Sequence, residues 1–251
     1  MGKVERQEGI VREIGRFPAL RVHELAARMG VSTETIRRDL AELERRGLLN
    51  RTYGGAVRPV SVEPALAERQ AMMTAERGRI ADVAVTLVER NDILMIGGGA
   101  TTLHFAQRLA ESPDPVTVIT HSFSIALALS ANAAIRILML PGQYDGREGL
   151  IHGPDTIDAL GRFHADKAIL GASGLTPEGP NDAALGPGLV YGAMMRRASQ
   201  TVIVADHGKF NRPSLTVYGP WSRKTTLVTD EAPRGELARG LSAAGVGVRV
   251  A

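Results

Sequence analysis

The feature that most restricts how this 251-residue chain can fold is a unit that recurs beyond residue 90: a short aliphatic run, a turn of Gly, Ser, Thr or Asp, and then a helix-like stretch. Asp92-Ile93-Leu94-Met95-Ile96 runs into Gly97-Gly98-Gly99-Ala100-Thr101-Thr102 and a helical 103–109. Residues 116–120 repeat the pattern with His121-Ser122 and a helical 125–129, and residues 135–140 end at Pro141-Gly142. Further strands are expected at 167–170, before Gly171-Ala172-Ser173-Gly174, at 201–205 after a helical 189–198, and last at 226–229, closing on Asp230. Strands with no polar side must be covered on both faces, so their alternation with helices implies a mostly parallel sheet in an α/β domain.

Ahead of that domain the pattern is different. Ile36, Leu40 and Leu43 fall on one stripe of a helix that Ser32 can cap, leaving Thr33, Thr35, Arg37 and Arg38 off the stripe. Val22, Leu25, Ala26 and Met29 give a preceding helix its own apolar rhythm, and Gly30-Val31 turns the chain between the two. This is a helix-turn-helix, with an earlier helix over 4–14 expected to pack beneath it. The second helix is expected to run to Arg46 and stop at Gly47, before two short apolar segments around Gly54-Gly55 that suit a β-wing flanked by Arg51 and Arg58. Pro59 and Pro64 then break regular structure, which sets the domains at 1–58 for DNA binding, 59–74 as linker, and 75–251 for effector binding and oligomerisation.

Charge supports the division. Residues 1–60 hold twelve Lys and Arg against eight Asp and Glu, a surplus of four, so the remainder carries about −1 of the overall +3. Eleven of those twelve cations are arginine, whose planar fork suits phosphate and guanine, although a solvated helix surface has the same look. With no cysteine, disulfides, thiolate metal sites and cysteine nucleophiles are excluded together, and the histidines lack metal-ligand spacing, so neither metal nor cofactor is expected. No apolar run approaches a membrane span and the N-terminus is too charged for a secretory signal, which predicts a cytoplasmic protein.

In a parallel sheet ligands gather at the carboxyl ends of the strands. The 97–102 loop is the strongest candidate, because its glycines let backbone approach an anion, a helix start offers free N–H groups, and Thr101 and Thr102 add hydroxyls. A glycine turn needed only for close strand-to-helix packing is the plain alternative. A dinucleotide site fits poorly, since Thr102 stands where a third glycine belongs and no acidic residue ends the next strand; a P-loop is excluded for lack of Gly-Lys-Ser/Thr. Lys209, in Asp206-His207-Gly208-Lys209-Phe210, follows a strand and can meet a phosphate as a point charge, or lie as an ordinary surface lysine. His121 and Ser122 can bond ligand hydroxyls, or His121 can cap a turn; Asp166 can reach a ligand or bond backbone.

Taken together, Ser32-x-x-Thr35-Ile36-Arg37-Arg38-Asp39-Leu40, Arg51-Thr52-Tyr53-Gly54-Gly55-Ala56, Arg69, Gly99-Ala100-Thr101-Thr102, Thr120-His121-Ser122, Pro141-Gly142, Asp166-Lys167-Ala168, Gly171-Ala172-Ser173-Gly174, Asp206-His207-Gly208-Lys209-Phe210 and Thr229-Asp230 resemble the DeoR family of bacterial transcriptional regulators over nearly the whole chain. The resemblance implies a winged helix-turn-helix joined to a sensor domain similar in fold to ribose-phosphate isomerase, which binds a phosphorylated sugar or related metabolite. It implies a repressor of a carbohydrate operon, acting on double-stranded operator DNA as a homo-oligomer. The DNA-contacting residues are then Ser32, Thr33, Thr35, Arg37, Arg38, Arg51 and Arg58. The effector set is Gly97, Gly98, Gly99, Ala100, Thr101, Thr102, His121, Ser122, Gln143, Asp166, Gly171 and Lys209.

Three positions depart from the family pattern: Gly97 in place of an aspartate, His121 in place of asparagine, and Gln143 in place of a glycine. The isomerase likeness supplies a rival enzyme reading, which needs a carboxylate base beside the substrate. Gly171-Ala172-Ser173-Gly174 and Met195-Arg196-Arg197 stand where the isomerases carry acidic and Glu-Lys groups, so binding without catalytic residues is expected. A DNA-binding protein whose second domain only assembles is the third possibility.

Overall fold

The computed structural model describes residues 2–16, 19–45, 49–52, 55–57 and 64–251, and the chain divides into two compact units, Met1–Val62 and Glu63–Ala251. In the first unit three helices, Lys3–Arg16, Val22–Met29 and Thr33–Arg45, accompany three short strands. Gly55–Val57 is central, pairing antiparallel with Ala19–Arg21 on one side and Asn50–Thr52 on the other. The helix stripe is buried as the spacing predicts: Ile36, Leu40 and Leu43 close on Ile10, Leu20, Leu25 and Leu49, with none more than 6% exposed. Gly30 ends the second helix in the left-handed region (φ 65°), where glycine carries no Cβ penalty, and its N–H bonds Ala26 O. Ser32 caps the third, its Oγ accepting from Thr35 N at 3.2 Å. Asp39 is buried on that helix and receives Arg6 Nε at 2.6 Å and Gln7 Nε2 at 3.2 Å, which ties the first helix to it. The expected helix stop at Gly47, the wing tip at Gly54, and Arg58 lie outside the described residues.

The second unit is built on a seven-stranded sheet in which every neighbouring pair is parallel. Its order is Gly247–Val250, Thr225–Thr229, Ala198–Val204, Ala165–Leu170, Ile93–Ile96, Val116–Thr120, Ile135–Met139. Successive side chains alternate between two buried layers. Leu94, Ile96, Val118, Ile169, Val202, Val204 and Val228 pack with Ile80 and Ala84 of helix Thr74–Val85 and with Phe105 and Leu109 of helix Ala100–Leu109. Met95, Ile119, Ala168, Leu170, Ile203 and Leu227 meet Val190 and Met194 of helix Leu185–Arg197, with Leu237 and Leu241 of helix Gly235–Ala244. Both faces are covered, as continuous apolar strands require.

Several elements go beyond the sequence reading. The segment leading into the sheet forms two helices, Leu66–Gln70 and Thr74–Val85, with Met73 between them at φ 51°. The strand ending at Thr229 is not the last, since Gly247–Val250 adds to the sheet beside it. A hairpin joins Gln143–Asp145 to Leu150–His152, and a small antiparallel sheet links Gly174–Thr176, Gly179–Asp182 and Thr216–Val217.

Candidate DNA-binding and effector sites

On helix Thr33–Arg45 the residues opposite the buried stripe are the ones available to DNA. Thr33, Arg37 and Arg38 are exposed and Thr35 is half-buried. Arg37 and Arg38 reach Glu34 only loosely, at 3.8 and 3.6 Å, contacts worth little between solvated groups. Their guanidinium forks can therefore turn toward phosphate or a base edge at small cost. Ser32, also exposed, is engaged with Thr35 through backbone N and hydroxyl and so starts the helix. Arg51 lies on strand Asn50–Thr52, beside the central strand of the small sheet.

The second candidate site follows from sheet topology. From Ile93–Ile96 the chain adds strands outward in one direction, through Val116–Thr120 to Ile135–Met139. It then returns to Ala165–Leu170 on the other side of Ile93–Ile96 and builds the opposite way. Where the order reverses, the loops after two adjacent strands part and leave a crevice for a ligand. Those loops are 97–102 and the turn at Gly171, where an added Cβ would lie 3.8 Å from Thr102 Cγ2 and 4.0 Å from Gly98 O.

The 97–102 loop is held from several sides. Gly97 N donates to Ile169 O at 3.0 Å, and Gly98 N donates to His121 Nε2 at 3.1 Å. Tyr191 Oη donates to Gly98 O at 2.9 Å, and Thr102 Oγ1 donates to Gly99 O. Gly97 and Gly98 have no room for a side chain: a Cβ on Gly97 would stand 2.8 Å from Tyr191 Cε1, and one on Gly98 2.9 Å from Leu150 Cδ2. Gly99, at φ 137°, is the N-cap of helix Ala100–Leu109 and offers no side-chain cap to the first-turn amides. Beside the loop, Ser122 is buried, and its Oγ has no hydrogen-bond partner among the described residues. An uncapped helix start next to a buried unpartnered hydroxyl is an arrangement that suits an anion bearing oxygens.

Two expected effector residues are engaged by the protein itself, as the alternatives left open for them allow. His121 is fully buried with both ring nitrogens occupied by the protein, Nε2 by Gly98 N–H and Nδ1 by Ile151 O at 2.5 Å. A carbonyl can only accept, so the proton sits on Nδ1; burial is the largest influence and moves the pKa down to about 4, leaving the ring neutral. In this structure His121 braces the loop, with both ring nitrogens engaged by the protein. Asp166 sits at the amino end of its strand, where its carboxylate accepts from Ile93 N at 2.8 Å, across the sheet from the loop. Lys167 beside it pairs with Asp92 at 2.7 Å on that same edge.

Gln143 is exposed on the hairpin, paired with His152. Lys209 ends the short turn His207–Lys209 at the carboxyl edge, two strands from the 97–102 loop, or about 10 Å by strand spacing. The same edge carries His207, whose Nδ1 lies 2.5 Å from Asp230 Oδ2, a contact that raises the histidine pKa.

Sequence reasoning missed what closes over the loop. The hairpin places Leu150 against Gly98 and Ile151 against His121, and its Glu148 receives Arg69 through two bonds, at 2.7 and 3.1 Å. Arg69 also donates to Pro64 O, and Leu66 N donates to Arg147 O. The segment by which the chain enters the second unit is thus fastened to the hairpin that covers the candidate ligand loop. Arg69 stood out in the sequence; Glu148 and Tyr191 gave no signal beyond an ordinary charge and an apolar helix position.

A helix-turn-helix carrying exposed, loosely paired arginines, followed by an α/β unit with a candidate ligand crevice, defines a DNA-binding transcriptional regulator with a sensor domain. Residues 6–62 match the family model of the DeoR-like helix-turn-helix domain, and residues 72–231 that of the DeoR C terminal sensor domain. The chain is 30% identical to the putative aga operon transcriptional repressor of Escherichia coli O157:H7, over 98% of this chain and 93% of that protein. It is 28% identical to the HTH-type transcriptional repressor GlcR of Bacillus subtilis (93% and 90% covered) and 29% identical to the glycerol-3-phosphate regulon repressor of Escherichia coli K12 (93% and 93%). Among solved structures, ribose 5-phosphate isomerase A from Neisseria gonorrhoeae aligns over 53% of this chain and 52% of its own, at 20% identity and a TM-score of 0.41. The protein belongs to the DeoR family. These three relatives, each covered over at least nine-tenths of its length, are named as transcriptional repressors, and the chain is a DNA-binding regulator of that family and not an enzyme. Among the described residues no helix is long and apolar enough to cross a membrane.

Proposed function

We propose that the protein represses a carbohydrate operon from the cytoplasm, binding double-stranded operator DNA through residues 1–58 and responding to a phosphorylated sugar or related metabolite through residues 75–251, with 59–74 joining the two. The observation that carries the effector reading is the uncapped start of helix Ala100–Leu109 beside the unpartnered Ser122 hydroxyl. A phosphate there gains the first-turn amides and the positive end of the helix dipole. The name of one relative, a glycerol-3-phosphate regulon repressor, points to a phosphorylated metabolite as well.

The contacts of Arg69 suggest how binding is relayed. A ligand at the loop bears on Leu150 and Ile151, and through Glu148 on the segment leading toward the DNA-binding unit. A ligand shifts DNA affinity only by as much as it prefers one arrangement over another, so this clamp is the element whose position must differ between states. One helix-turn-helix reads DNA weakly, and a symmetric oligomer on repeated half-sites is the expected working form. Exposed Phe123, Leu127 and Tyr144, with Phe123 and Tyr144 in edge contact at 5.2 Å, supply an apolar surface for it.

The test is a thermal-shift and operator-binding panel on the full chain, using hexose and pentose phosphates and the DNA upstream of its own gene. At 100-fold excess over Kd a bound sugar phosphate stabilises by about 2.7 kcal/mol. Sugar phosphates that move neither melting temperature nor operator affinity overturn the reading.

A further inference from the structure

A second polar site lies on the small antiparallel sheet. A cleft of about 340 Å³ there is lined by Thr176, Asn181, Ser214, Val217, Glu178 and Glu236, among others. Cross-strand register puts Asn181 opposite Val217 and Gly174, and Thr176 opposite Gly179, so Thr176, Asn181 and Val217 share one face. Their neighbours Asp182 and Thr216 are on the other, against Gly188 of helix Leu185–Arg197. The cleft face is therefore the one turned away from that helix.

Asn181 is 0% exposed, yet both its Nδ2 and its Oδ1 lack a partner among the described residues, and so does the buried Oγ of Ser214. A buried amide with both ends unsatisfied is costly in a native protein, and two such residues bordering one cleft call for an occupant that both donates and accepts. Glu178 and Glu236 stand exposed at the rim, and the residues lining the cleft include no Lys, Arg or His. Glu236 also reaches Arg239 at 3.9 Å, a loose contact between exposed groups, so Glu178 and Glu236 together leave the rim negative, which disfavours phosphate and favours neutral or amine-bearing molecules. We infer that the cleft binds an unphosphorylated polyhydroxy compound, with an amino sugar preferred, whose hydroxyls bond the Asn181 amide and the Ser214 hydroxyl while its amine faces Glu178 and Glu236. This site is separate from the 97–102 loop and would let the protein register a free sugar alongside a phosphorylated one.

The chain carries its own reporter. Trp221, its single tryptophan, donates Nε1–H to the carbonyl of Thr176 at 2.7 Å, directly behind the cleft. Titration of the full chain with D-glucosamine, D-glucose and D-glucose 6-phosphate, followed by Trp221 fluorescence, should show saturable change for the first two, strongest for glucosamine. Asn181→Leu should weaken that response about tenfold or more, since sugar hydroxyls then meet no partner, while folding by circular dichroism is retained. Glu178→Gln with Glu236→Gln should erase the preference for glucosamine over glucose. No fluorescence response to glucosamine or glucose, a response unchanged in Asn181→Leu, or equal binding of glucose 6-phosphate at the cleft each overturns the proposal. If internal water alone satisfies Asn181, the parent stays silent and Asn181→Leu gains stability, which refutes it from the opposite side.

Discussion

Acidification should loosen the sensor unit through one residue. His121 is neutral in the folded protein with a pKa of about 4, against an ordinary value of 6.5, because burial disfavours its charged form. Between those values the unfolded chain binds a proton that the folded one refuses, so the contribution is intact above about pH 6.5 and is lost as pH falls toward 4. Working the linkage from about pH 7.5 to about pH 5.5 gives a loss of about 1.3 kcal/mol, approaching about 3 kcal/mol below pH 4. His104, also shifted down by burial, adds in the same direction. His207, shifted up by Asp230, opposes it, since its stabilisation is present at low pH and fades as pH rises. The assay is urea unfolding followed by Trp221 fluorescence, which reports the second unit alone, in the parent and in His121→Gln. Gln can still bridge Gly98 and Ile151 but does not titrate. The parent should lose about 1.3 kcal/mol more than the variant over that pH interval. Equal losses would mean that the ring is solvated or already charged at neutral pH, and the bracing role would fall with it.

Three other outcomes follow from the geometry. Gly97→Ala should cost about 1–3 kcal/mol because its methyl meets the Tyr191 ring, and Tyr191→Leu should recover part of that loss in the double variant; strict additivity in urea unfolding would place the clash elsewhere. Arg38→Ala, measured against operator and random DNA across salt, should remove about 1–3 kcal/mol of discrimination if the guanidinium reads a base, or flatten the salt slope by about one if it holds a phosphate; unchanged binding removes it from the interface. Arg69→Ala and the milder Arg69→Lys should leave sugar-phosphate affinity nearly intact while uncoupling it from operator release or capture, Lys lacking the paired bonds to Glu148; normal coupling in both would dismiss the clamp.

Much of the scaffold is legible in the sequence because it rests on local periodicity. The spacing of Ile36, Leu40 and Leu43 suffices to bury one stripe and so to free Arg37 and Arg38, and Ser32 announces the cap it makes. The aliphatic runs at Ile93–Ile96 and Val116–Thr120 declare buried parallel strands, and the glycines behind them mark the crevice edge. What escapes is non-local. Gln143–Asp145 and Leu150–His152 are three residues each, with no alternation to identify them, and their meaning comes from contacts with His121 and Arg69 far along the chain. Gly247–Val250 is an exposed edge strand whose Gly-Val-Arg-Val lacks the apolar continuity of its neighbours. Asp166 was open to a simpler inference: a residue that precedes a parallel strand sits at the amino edge, away from any ligand at the carboxyl ends. His121 could be placed beside the loop but not assigned a task, because an imidazole with two internal partners and one with none look the same in sequence.

If the glycine loop holds a phosphate as proposed, the bonds that fix the loop also set how many phosphoryl groups it can take. Gly97 N–H is spent on Ile169 and Gly98 N–H on His121, so the amides left to a ligand are those at the start of helix Ala100–Leu109. One helix mouth presents roughly half a positive charge and a single converging set of donors, a match in size for one tetrahedral group. A second phosphoryl would extend toward Gly98, where the amide is taken and Leu150 fills the space. On the proposed effector reading, the loop selects by stoichiometry: monophosphate esters fit, whereas sugar nucleotides and other diphosphates ask for donors that the protein has already used on itself.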